Sequence, residues 1–271
     1  MAKIHEEDRH AYFEKVKVYN TMTKALLKAE TDLVTQIKKN PPDAAMKKLN
    51  LVDEMLNLTS GYMAINGVST AVLKVKNEEA LNEARKSMYK AVIYLEEIVS
   101  NYIDASFSEY EEKLAQIESF DENQRYKLIR KMGLAIDMLQ LAYGDNSKWR
   151  WTFVEIEGRF AAISKNILDL RNAVANSRPD SPYYDSTVYH LRLVKELLSR
   201  AASRYRDKYE LSTQQVLDFK TGMMFLGALK RIHIVLAESE DAEEIKKKLA
   251  IWSTKLESDI KKQEEAKKRK Q

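Results

Sequence analysis

The sequence predicts an all-α protein: an antiparallel multi-helix bundle or irregular helical array of six to eight long helices. Three observations predict it. Glycine occurs 7 times and proline 4 times in 271 residues, too few to supply the turns that a sheet protein needs every ten residues or so. Apolar residues recur at helical spacing over long segments. Charged residues make up 32% of the chain and apolar residues 44%, a mixture that suits helices with solvated outer faces around a sizeable core.

A first helix is expected from Glu6 to Lys39, with Tyr12, Val16, Tyr19, Leu26, Leu33 and Ile37 on one side and Met22 and Ala29 beside them. Asn40-Pro41-Pro42 ends it, because proline disfavours the α conformation in the residue before it. Asp43 is placed to cap the second helix. That helix holds an uncharged run over residues 55–73, in which Asn57, Thr59, Ser60, Gly61, Asn66, Gly67, Ser69 and Thr70 are polar or glycine. So polar a run reads as a buried helix with bend points at Gly61 or Gly67, and no membrane span is expected.

A third helix covers residues 78–102 and is extended toward 118. Ser119 or Asp121 caps a fourth, which ends near Gly144. Asn146 or Ser147 opens a fifth, running to about 176. Trp149, Trp151 and Phe153 alternate as a strand would, yet Trp149, Phe153, Ile156, Phe160 and Ile163 keep helical spacing over a longer span, which decides for helix. Ser177-Arg178-Pro179-Asp180-Ser181-Pro182 is the clearest loop.

Asp185 or Ser186 caps a sixth helix that reaches about residue 209. Ser212 or Thr213 opens a seventh, to about 237. It is apolar nearly all round, the pattern of a central, enclosed helix. Ser239 opens the last helix, whose first turn holds Glu240, Asp241, Glu243 and Glu244, favourable to the helix dipole. Ile245, Leu249, Trp252, Leu256 and Ile260 form its stripe. Residues 1–260 are thus expected to form a single helical domain, with a candidate sub-boundary near 119–121, followed by a basic charged tail over 261–271. Similar octets at 49–56, 132–139 and 191–198 have no fixed period, so they read as convergent amphipathic helices and not as a solenoid.

Charge and composition exclude several function classes. There is no cysteine, so disulfides, thiolate metal sites and thiol nucleophiles are ruled out. Six of the 45 basic residues and two of the 41 acidic ones lie in 261–271, so the +4 net charge sits wholly in the tail. A dedicated nucleic-acid domain is usually basic in its body. The opening ten residues are charged and lack an apolar core, so no signal peptide is expected there.

No constellation argues for catalysis. Of four histidines, only His10 belongs to a Glu-x-x-His, with Glu7, and a di-iron bundle needs two such pairs. His233 reads as a hydrogen-bonded core residue. Gly133, Gly158, Gly222 and Gly227 read as helix-packing positions, since no phosphate-binding loop surrounds them. No catalytic residue, metal or cofactor is expected.

Two surfaces stand out. The sixth helix aligns Arg192, Arg200, Arg204 and Lys208 at four-residue spacing, opposite a core-like face of Leu191, Val194, Leu198, Ala201 and Tyr205. Such a ladder grips acidic partners or phosphates when it faces outward. Lys148-Trp149-Arg150-Trp151 joins aromatic to basic residues, as stacking platforms do, although core tryptophans flanked by surface charge give the same pattern. Arg192, Arg200, Arg204, Lys208, Trp149, Arg150 and Trp151 are the candidate binding residues.

The function expected from these observations is that of a cytoplasmic, non-catalytic helical scaffold or adaptor, or of a structural component of a larger protein assembly. It acts through a protein partner or by homo-oligomerisation. The alternative is a nucleic-acid-associated protein using the basic tail and the arginine ladder. A helical enzyme with an unrecognised site is third.

Overall fold

A computed structural model of the chain describes residues 5–39, 43–144 and 147–268. The Asn40-Pro41-Pro42 stop, the Asn146 start and the last three residues lie outside the described residues. Ten α-helices and no strand occur among those described: α1 Glu6–Lys39, α2 Ala44–Leu73, α3 Glu78–Val99, α4 Phe107–Ala115, α5 Glu122–Tyr143, α6 Arg150–Ile167, α7 Leu170–Asn176, α8 Tyr184–Lys208, α9 Val216–Val235 and α10 Ser239–Lys268. A π-turn, Tyr209–Thr213, joins α8 to α9. No described helix is long and apolar enough to cross a membrane.

The all-α class holds, but ten helices replace the expected six to eight because two of the expected long helices each break. The third stops at Ser100, where φ is +97° and the backbone N–H closes the last turn on Glu96 O at 2.8 Å. The fifth stops after Ile167, and Asp169 Oδ1 accepts from the N–H groups of Arg171 and Asn172 at 3.1 and 3.3 Å to start α7. Asp121 and Gln124 form a reciprocal capping box at the start of α5, each bond 2.9 Å. Asp43 precedes α2 without a side-chain cap bond and lies 3.7 Å from Lys47.

The chain sorts into two compact units, Met1–Ser100 with Glu111–Arg150, and Asn101–Tyr110 with Trp151–Gln271. Residues 119–121 fall inside the first.

In the first unit α2 is the central element, with Leu51, Val52, Met55, Leu56 and Leu58 all essentially inaccessible. It is one unbroken helix. Gly61 admits α1: a Cβ there would lie 2.6 Å from Met22 Cε and 3.0 Å from Thr23 Cγ2. The seam of α1 runs through Tyr12, Val16, Tyr19, Thr23, Leu26, Glu30, Leu33 and Ile37, in alternating steps of four and three, the interval that keeps two helices in continuous contact. Buried Glu30 accepts from Lys90 Nζ at 2.8 Å and from the Tyr94 hydroxyl at 2.9 Å, tying α1 to α3. Lys131 Nζ of α5 reaches Asp53 and Asn57 of α2 at 2.5 and 2.8 Å.

In the second unit the enclosed helix is α6. From Phe153 to Ile167 nearly every residue is buried. Gly158 makes this enclosure possible, since a Cβ would stand 2.6 Å from Tyr205 Cε2 and 3.1 Å from Phe225 Cζ. Those two rings stack at 5.6 Å over the gap. The expected enclosed helix, α9, turns out to be two-faced. Phe219, Phe225, Leu226 and Leu229 are buried, but Leu217, Met224, Ile234 and Val235 are exposed. Trp252 of α10 packs against Phe219 at 5.4 Å. Helix α10 continues to Lys268, so the described part of the basic tail is helical, and Gln263 Nε2 donates to Gln214 O at 3.3 Å.

Candidate functional site

The most unusual residue of the second unit is Lys165, on the last turn of α6 and only 4% exposed. An ammonium has three donors. Lys165 uses one, to the Ala105 carbonyl at 3.1 Å, and its Nζ stands 5.2 Å from the centre of the Tyr110 ring. Among the described residues no carboxylate pairs with it. The nearest acids are engaged elsewhere. Asp104 accepts from Arg231 at 2.8 Å, and Glu109 accepts from the backbone N–H and hydroxyl of Ser106, both at 2.9 Å. Burial, reinforced by the Arg231 charge, pulls the Lys165 pKa down to about 8.

Tyr110, at the first turn of α4, is fully buried. Its phenol oxygen has no hydrogen-bond partner among the described residues, and burial raises its pKa, so it remains an O–H donor. Lys165 and Tyr110 line a cavity of about 480 Å³ whose walls are mainly apolar: Phe107, Leu170, Ile232 and Val235. Its size is typical of small-molecule pockets. Arg171 stands at the same cavity, 5.7 Å from the Phe107 ring.

A second polar cluster lies where α9 ends. His233 Nδ1 is 2.7 Å from Glu238 and 3.9 Å from Asp241. These three could approach one cation. Lys195 already occupies Glu238, at 2.8 and 3.0 Å to its two oxygens. Burial pushes the Glu238 carboxyl up, but the Lys195 and His233 hydrogen bonds win and hold it below its ordinary value. The arrangement is that of a salt-bridged helix terminus.

The predicted arginine ladder is not an outward cationic strip. Arg204 Nε donates to buried Glu157 of α6 at 3.0 Å, and Lys208 Nζ donates to buried Asp218 of α9 at 2.8 Å. Asp218 also accepts from Thr213 Oγ1 at 2.6 Å. A carboxylate taken out of water needs a cation, and the ladder supplies two. Arg192 is exposed, with its guanidinium 5.8 Å from the Tyr189 ring, while Arg200 is half-buried. The opposite face is the core as expected, with Leu191, Val194, Leu198 and Ala201 buried. The structure also separates the predicted aromatic pair. Trp149 belongs to the first unit, where Arg85 lies 4.1 Å over its ring and Tyr143 meets it edge-on at 6.5 Å. Trp151 is half-buried in the second unit, and Arg150 is exposed.

Comparison with known proteins adds one finding: the model of the TP0443 family matches residues 8–260. The chain belongs to the TP0443 family. No curated protein matches it, and no solved structure does.

Sequence reasoning overlooked four functional or structural charges in this TP0443-family chain: Lys165, Glu157, Asp218 and Glu30. Three carry a signal in hindsight. Lys165 is the lone charge in the apolar stretch 160–168, Glu30 sits on the heptad seam, and Asp218 lies between Leu217 and Phe219. Glu157 carries none, and neither does Tyr110, because a tyrosine followed by two glutamates reads equally well as surface.

Proposed function

We propose that this TP0443-family protein is a non-catalytic helical scaffold or adaptor that works through protein–protein contacts. One observation supports it above the others. Leu217, Met224 and Val235 are exposed on α9, at separations of seven and eleven residues. These are two and three helical turns, so the three side chains share one line. Lys220 and Arg231, also exposed, flank it. The line is interrupted at Ala228, which is 1% exposed, so its open parts are Leu217 with Met224 and, past the break, Val235. Exposed apolar side chains beside charged ones are the form of a contact surface. A partner chain or a second copy would cover it, and a cytoplasmic location belongs to the same reading. The nucleic-acid alternative is weaker, because Arg204 and Lys208 are engaged with buried acids.

The test is a paired measurement on the wild type and a Leu217→Asp, Met224→Asp double variant. Light scattering on a sizing column reads self-association, and quantitative mass spectrometry of complexes isolated from source cells reads partners. The wild type is expected to self-associate or to hold a stoichiometric partner, and the variant, helical by circular dichroism, to lose it. A wild type that is monomeric and partnerless, or a variant with unchanged company, refutes the reading.

A further inference from the structure

The cavity at Lys165 shares Val235 and Arg231 with the exposed face of α9, but its two buried donors, Lys165 and Tyr110, lie on other helices, and their chemistry points to a small ligand. The two buried polar side chains that line it, Lys165 and Tyr110, are donors with capacity to spare. Lys165 has two N–H groups beyond the one given to Ala105 O. The Tyr110 hydroxyl has no partner among the described residues. Both residues are more than nine-tenths buried. A buried donor without an acceptor is costly, and more so when charged. What completes such a pair is an acceptor carrying negative charge.

The charge count narrows the head group. Arg231 is satisfied by Asp104 and by the Ile103 carbonyl, at 2.8 and 3.4 Å. Arg171 lies against the Phe107 ring. Lys165 is the one buried cation at the cavity without a carboxylate, so a single negative charge balances it. The walls narrow the rest. Phe107, Leu170, Ile232 and Val235 offer nothing to a polar body, and burying alkyl groups against them is favourable by about 25 cal/mol per Å².

We propose that the cavity binds an amphipathic monocarboxylate, its carboxylate between Lys165 and Tyr110 and its apolar chain along α9 and Leu170. The acceptor replaces the missing partners, and the bound carboxylate favours the charged form of Lys165. Binding is therefore coupled to proton uptake once the pH rises past about 8, where the free amine begins to lose its proton. The other charges around the cavity have partners: Asp104 and Arg231 each other, Glu109 the N–H and hydroxyl of Ser106, Asp169 the N–H groups of Arg171 and Asn172, and Arg171 the Phe107 ring. Lys165 is thus the group whose titration sets this dependence.

Titration calorimetry of the full chain with decanoate, decanol and decyl phosphate, all below their micelle-forming concentrations, tests the assignment at pH 7 and pH 9.5. Decanoate is expected to bind at least tenfold more tightly than decanol, to bind several-fold more weakly at pH 9.5, and to outbind dianionic decyl phosphate. Lys165→Met should lose at least tenfold for decanoate and nothing for decanol. Tyr110→Phe should lose a smaller factor with the same selectivity. Equal affinity for decanoate and decanol, or a Lys165→Met variant that binds decanoate normally, would mean a plain apolar crevice and would overturn the proposal. So would preference for decyl phosphate, or no decanoate binding at all.

Discussion

Replacing Lys165 with methionine is expected to stabilise the protein at neutral pH. A lysine pKa displaced from 10.5 to about 8 corresponds to about 3 kcal/mol, at about 1.4 kcal/mol for each pKa unit. Because the folded pKa lies below the unfolded one, the unfolded chain holds the proton more tightly between pH 8 and 10.5. The charged lysine therefore costs stability, and the cost is complete below about pH 8. It fades as the pH climbs toward 10.5, where the side chain is neutral in both states. Methionine is similar in length, adds no charge, and suits an apolar surround. Against its gain stand the loss of the bond to Ala105 O, about 1 kcal/mol, and of the contact with the Tyr110 ring, about 0.5–1 kcal/mol. The net expectation is a gain of about 1–2 kcal/mol at pH 7 that shrinks as the pH climbs and reverses to a loss of about 1 kcal/mol by pH 10.5, where only the missing bond to Ala105 O remains. Urea denaturation followed by tryptophan fluorescence is the assay, since Trp151 and Trp252 both report on the second unit. Taking the difference between variant and wild type at each pH removes the titration of all other groups. A variant less stable at pH 7, or a difference that does not change with pH, would refute the reasoning.

Three further expectations follow from particular contacts. Arg204→Met removes the 3.0 Å bond to buried Glu157 and should cost about 1.5–3 kcal/mol, read by the same denaturation, while Arg192→Met, on an exposed neighbour, should cost less than about 0.5 kcal/mol. Ala237 stands at φ +57°, and α9 closes through Ala237 N–H to Ile234 O at 3.1 Å and Glu238 N–H to His233 O at 2.9 Å, the paired bonds of a Schellman motif. Ala237→Gly should therefore gain about 1 kcal/mol by relieving the left-handed conformation, and a loss of thermal stability would contradict it. Deleting residues 262–271 removes the Gln263 bond to Gln214 O and little buried surface, so the melting temperature should fall by less than about 5 °C.

Much of this fold follows from local rules that a sequence displays directly. The bounds of α1, the Asp121 cap of α5, the loop before α8 and the Ser239 start of α10 depend on periodicity and capping chemistry within a few residues, and each stands where the sequence places it. So does the inner face of α8, because an apolar stripe at helical spacing has one side to bury. Tertiary structure decided the matters that depend on which neighbour arrives. Apolar residues all round α9 could not say that α6 takes the centre of the second unit, since enclosure belongs to the assembled packing and not to one helix. The spacing of Arg204 and Lys208 could not say that they turn toward Glu157 and Asp218, because long cationic side chains follow whichever carboxylate has been stripped of water. Lys165 and Tyr110 lie 55 positions apart in the chain, and only the packing of α4, α6 and α9 sets them at one cavity with their donors unspent.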